Sequence, residues 1–111
     1  MAWELGFYET PAGIRPAQDF LDGLTGAARR EAIAGLRLLA TDGAAVRLPH
    51  SRALGDGLFE LRGRSSGVRL FYMFRPGRRI VVLDGVIKKR DELPAAVLRR
   101  VRRLQRDVEH L

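Results

Sequence analysis

The residues Leu58–Tyr72, LFELRGRSSGVRLFY, and Arg79–Arg90, RIVVLDGVIKKR, decide how this chain is read. Valine, isoleucine and aromatic residues recur in short runs, and turn-forming residues separate them. Strands are predicted at Leu58–Arg62, Val68–Arg75 and Arg79–Ile87. The turns Arg64-Ser65-Ser66-Gly67 and Pro76-Gly77-Arg78 are short enough to make the three an antiparallel meander. These strands carry a cationic row: Arg62, Arg64, Arg69, Lys88, Lys89 and Arg90. Fixed positive charge at so many positions of a small sheet predicts a polyanionic partner.

Side chains alternate between the two faces of a strand. Phe59 and Leu61 are therefore expected to face the core, with Glu60 and Arg62 on the solvent side. Glu60 is read as the partner that holds Arg62. Arg69 and Tyr72 cannot share one face of a regular strand. Either Arg69 precedes the regular part or a bulge intervenes.

Outward from these strands, Trp3–Glu9 reads as a first strand that Thr10-Pro11-Ala12-Gly13 breaks. A short helix is expected from Pro16 to Leu24, with proline pre-set for its first turn. A second helix spans about Ala27–Thr41, with Thr25 at its N-cap and Gly43 just past its end. The short connection predicts a helical hairpin. Gly43 to Gly57 reads as a loop. A final helix, from about Glu92 or Pro94 to Val108, places Val97, Val101, Leu104 and Val108 in one stripe, and arginines fill the rest. The fold class is α+β, in the order βααβββα, with the helical hairpin and C-terminal helix packed on one face of a small, mostly antiparallel sheet.

At 111 residues one domain, 1–111, is expected, and 46% hydrophobic content argues for a packed core. There are no cysteines, so disulfides and thiolate-bound metals are excluded. His50 and His110 have no ligand-like spacing, and neither a metal nor another cofactor is expected. The formal net charge is +7, carried by eighteen arginines and two lysines. Arginine's planar fork suits bidentate contact with phosphate. No apolar run is long enough for a membrane span and no signal segment is seen at the N-terminus, so a cytoplasmic protein without membrane partners is expected.

The order of elements, together with Leu54 through Arg62 (LGDGLFELR), Gly67-Val68-Arg69-Leu70-Phe71-Tyr72, the strand IVVLDGVIKK and Pro94 opening a terminal helix, resembles the RelE/ParE toxin superfamily. Within it the HigB-like, phage Gp49-like branch of type II toxin–antitoxin toxins is the nearest match. The resemblance implies a RelE-like fold and a metal-independent endoribonuclease that cuts messenger RNA on the ribosome. The RNA's own 2′-hydroxyl would attack the adjacent phosphate. It also implies a cognate helix-turn-helix antitoxin as partner.

Matched residue by residue, Arg62 and Arg69 take phosphate and transition-state stabilising roles, and Lys88 and Lys89 are candidate proton-transfer groups. Arg52, Arg64, Tyr72 and Arg90 are candidate RNA contacts, Tyr72 having a core role as its competing reading. RelE proper carries a C-terminal tyrosine where this chain has Leu93-Pro94, so the general base and acid stay unassigned. His50 reads as a loop residue in a region that lies near RNA in the superfamily. Two other functions compete: a ParE-like gyrase inhibitor without nuclease activity, and a degenerate module that only binds nucleic acid or antitoxin.

Overall fold

The computed structural model describes residues 2–89 and 92–111. Arg90, one of the expected RNA contacts, lies outside the described residues. The chain runs β1 (Glu4–Phe7), α1 (Pro16–Asp22), α2 (Gly26–Asp42), a single 3-10 turn (Gly43–Ala45), β2 (Ser51–Gly55), β3 (Leu58–Arg62), β4 (Val68–Arg75), β5 (Arg79–Ile87) and α3 (Ala95–Glu109). The strands form one sheet in the order β1-β5-β4-β3-β2. All pairs are antiparallel except β1 with β5, which is parallel.

The meander lies where the hydrophobic pattern puts it. β2 does not: its residues, SRALG, lack the β-branched and aromatic signal of a strand and were expected to be loop. Pairing with β3 makes it one, with Arg52 opposite Glu60 and Ser51 opposite Leu61. Among the described residues no helix is long and apolar enough to cross a membrane.

Helices cover both faces of the sheet, which corrects the expectation of a single covered face. On one side Leu21, Leu24, Ala32, Leu36 and Leu39, from and beside α1 and α2, pack on Leu61, Leu70, Tyr72 and Val82. On the other, Val101, Leu104 and Val108 of α3 pack on Leu58, Phe71, Met73 and Leu83. Each such side chain, fully buried, contributes about 1.5–3 kcal/mol. A sheet covered twice needs apolar residues on both faces, and β4 and β5 are nearly continuous apolar runs. That run, rather than strict alternation, was the available signal.

Arg69 and Tyr72 do point to opposite faces, and β4 itself alternates regularly through both. The irregularity lies in β5, where the pairing shifts from Phe71↔Asp84 to Tyr72↔Val82. Leu83 is the extra residue, so Leu83 and Asp84 both face α3. Asp84 uses this position to accept a 2.6 Å hydrogen bond from Arg100 Nε. At Gly85, on the opposite face, an added Cβ would lie 2.3 Å from the Phe20 ring, so glycine lets α1 settle on β5.

The β3–β4 turn is fastened to α2 by a single carboxylate. Glu31 accepts from the backbone N–H groups of Ser65 and Ser66 at 3.0 Å each, and from their hydroxyls at 2.6 and 2.7 Å. These donors favour the ionised form and hold the Glu31 pKa down at about 2. A folded-state value below the unfolded one stabilises the fold at pH above the unfolded value of 4.5. That contribution disappears as pH falls towards 2. Glu31→Gln should therefore lower stability by on the order of 1 kcal/mol at neutral pH, after allowance for solvent. In thermal melts of the two proteins from pH 6 to pH 2, the gap in Tm should close as pH falls. A gap that is constant with pH would rule out the charge as its source.

Candidate functional site

Glu60 sits in the middle of β3 with only 1% of its surface exposed. The sequence placed it on a solvent face; because that face is covered and flanked by long cationic side chains, it is buried. Three cations from three strand segments surround its carboxylate. Arg62 Nε lies 3.7 Å away on the same strand, Arg69 Nε 3.8 Å away on β4, and Lys88 Nζ 3.6 Å away just past β5.

The register explains the gathering. Arg62 pairs with Arg69, and Arg69 with Val86, so two arginines stand side by side on the α3 face. Lys88 lies two residues beyond Val86 on the same face. Its N–H donates to Gly67 O at 2.7 Å, and a Cβ on Gly67 would lie 2.2 Å from Lys88 O. Glycine at 67, with φ +81°, is what allows the turn to approach this backbone.

The cluster is electrostatically open. One carboxylate against three cations leaves a formal net charge of +2. The separations exceed hydrogen-bond length, and Glu60 Oε1 and Arg62 Nε make no hydrogen bond among the described residues. Side-chain exposure rises outward, from 1% at Glu60 through 4% at Lys88 and 12% at Arg69 to 30% at Arg62. A buried pair designed for stability alone would satisfy its remaining polar atoms. Two of the cations, Arg62 and Arg69, also line a groove of about 900 Å³ between α2 and the ends of β3 and β4, together with Arg30, Glu31, His50 and Arg64. The net positive charge suits an oxyanion, a further acceptor beside the Gly63 and Val68 carbonyls that Arg69 Nη1 already contacts.

The expected site residues divide accordingly. Arg62, Arg69 and Lys88 come together. Lys89 is exposed on the bend after β5, because adjacent residues diverge, and so it stands apart from Glu60. Arg64 is exposed on the turn and lines the groove, and Arg52 is exposed on the edge strand opposite Glu60.

Tyr72 is corrected from RNA contact to core residue. It is 1% exposed on the α1/α2 face, stacks on Phe59 at 5.4 Å and shares a 2.5 Å hydrogen bond with Ser51 Oγ. Burial raises its phenol pKa. Its ring is not available to stack on a base.

Two features go beyond the sequence expectations. One was the depth of Glu60, which three cations at converging register positions could have signalled. The other was the place of His50 in the groove. Removing Glu60 would leave buried cations facing one another, so Glu60→Ala should cost about 3–5 kcal/mol. Adding Arg69→Met to that variant should recover part of the loss. Denaturant unfolding of both single variants and the double variant measures the coupling, and strict additivity would show that the pair does not interact.

A family profile described as phage derived protein Gp49-like (DUF891) matches residues 19–106. A search among curated proteins finds no match. Solved structures do resemble the chain. RelE in the intact Escherichia coli RelBE toxin–antitoxin complex gives a TM-score of 0.59 at 19% identity, over 80% of this chain and 100% of that one. The isolated E. coli RelE toxin gives 0.58 at 20% identity, over 90% and 99%. In the archaeal RelE–RelB complex from Pyrococcus horikoshii OT3 the values are 0.56 and 16%, over 81% and 99%. The expected fold class is thereby met, and the chain belongs to the Gp49-like family and is built on the RelE fold.

Proposed function

We propose that the chain is the toxin of a type II toxin–antitoxin pair, a HigB-like endoribonuclease that cuts messenger RNA on the ribosome in the cytoplasm. The observation that carries this reading is the cluster of Arg62, Arg69 and Lys88 around Glu60, two of whose cations, Arg62 and Arg69, line a groove. Attack of a 2′-hydroxyl on its neighbouring phosphate turns a singly charged phosphodiester into a phosphorane carrying close to two negative charges. A site of net charge +2 complements the second better than the first, which is the condition for lowering the barrier rather than only binding substrate.

Glu60 sets that balance. Without it the site would carry three positive charges and hold any phosphate, including the product. With it, Arg62 and Arg69 stay partly neutralised until RNA arrives. Arg62 and Arg69 contact the phosphate, and Lys88 adds charge from below. Arg52, Arg64 and Lys89 track the RNA backbone on either side. The two toxin–antitoxin complexes among the similar structures support an antitoxin partner for this chain.

The test is cleavage of ribosome-bound messenger RNA by purified protein, with 5′ ends mapped. Codon-phased cuts should appear. They should vanish when the attacking 2′-hydroxyl is replaced by hydrogen. Arg69→Ala and Arg62→Ala should each slow cutting on the order of a hundredfold, as loss of one oxyanion donor does. Intact messenger, together with inhibited supercoiling in a parallel gyrase assay, would replace this reading with the ParE-like one.

A further inference from the structure

Arginines stabilise charge, but transfer of the 2′-hydroxyl proton needs a group that changes protonation near neutral pH. The last regular pair of β2 with β3 is Ser51↔Leu61. The ladder continues one step further, where Arg62 N–H donates to His50 O at 2.8 Å. His50 is therefore the cross-strand neighbour of Arg62, which in turn faces Arg69. Three strand ends thus carry His50, Arg62 and Arg69 in one row, and all three line the same groove. Neighbouring strands lie about 4.8 Å apart, so a phosphate held by Arg62 and Arg69 is within reach of the imidazole.

We infer that His50 is the general base of the cleavage reaction, an inference that rests on the nuclease reading above. Neutral imidazole takes the proton as the 2′-O–H bond breaks and the O2′–P bond forms. The P–O5′ bond then breaks and the 5′-oxygen takes a proton from water, leaving a 2′,3′-cyclic phosphate and a 5′-hydroxyl. The charged groups sharing the groove are Arg30 and Glu31 from α2, Arg62 and Arg64 from β3 and its turn, and Arg69 from β4. The Glu31 carboxylate among them is already held by Ser65 and Ser66. Lys88 is a poorer candidate, because it is 4% exposed and faces the Glu60 carboxylate.

His50 is exposed, and its backbone carbonyl, not its ring, holds Arg62, so His50→Ala and His50→Gln should fold normally. Single-turnover cleavage on ribosomes is measured from pH 5 to pH 8.5 for wild type, both His50 variants and Arg69→Ala, with thermal melts as the folding control. Both His50 variants should lose about 10²–10⁴-fold in rate at pH 7.5. The rise of the wild-type rate with pH, of slope near one in log units, should flatten in them. A substrate with sulfur replacing the bridging 5′-oxygen needs no proton on its leaving group, so the His50 defect should persist on it. Rescue on that substrate would make His50 the acid and overturn its assignment as base. Full activity in the His50 variants while Arg69→Ala is dead would overturn the inference alone. A wild-type protein that leaves the messenger intact would overturn the nuclease reading and this one together.

Discussion

A single buried carboxylate, Glu60, governs the organisation of this molecule. It lies in β3, the first strand of the meander, and three cationic side chains from three separate strand segments converge on it. Burying one charge is costly, and burying three like charges without it would cost more. The cations therefore stay near Glu60, and the strand ends that bear them stay in register. The same carboxylate leaves two positive charges uncompensated, so the cluster that holds the sheet's end together is also attractive to an anion.

The surrounding architecture keeps this arrangement open at one end. α3 covers the α3 face over Leu58, Phe71, Met73 and Leu83, and its Arg100 is tied to Asp84 through the β5 bulge. Its Arg102 and Gln105 bond to the carbonyls of Leu54, Gly55 and Asp56, which ties the β2–β3 turn to the helix. On the other face α2 fastens the β3–β4 turn through Glu31. The two helices thus immobilise opposite ends of β3. Between them Arg62 and Arg69 keep partial exposure, so their charge is oriented before any ligand arrives. Such preorganisation is what makes fixed cations useful in stabilising a transition state.

In the sequence, Arg62 and Arg69 stood out as part of the cationic row and took their roles from the family resemblance. The structure pairs them across the β3–β4 turn, whose short length brings the two strand ends together. Lys88 and Lys89 were legible only as a pair, because sequence does not tell which of two adjacent residues turns inward. The close approach of Gly67 to the Lys88 backbone makes that choice. β2 was illegible, since Ser51–Gly55 becomes a strand only by pairing with β3. His50, read as a loop residue, owes its place beside Arg62 to that pairing.

The sequence by itself determined the strands of the meander, the three helices and the excess of positive charge. Those follow from local periodicity, turn chemistry and composition, which act over a few residues. Only the tertiary structure decided that Glu60 is buried, that Tyr72 belongs to the core and that His50 shares a row with Arg62 and Arg69. Each depends on which face a helix covers or which distant strand pairs at the edge. Those contacts join residues far apart in the chain, and their energies are settled by packing rather than by any local preference.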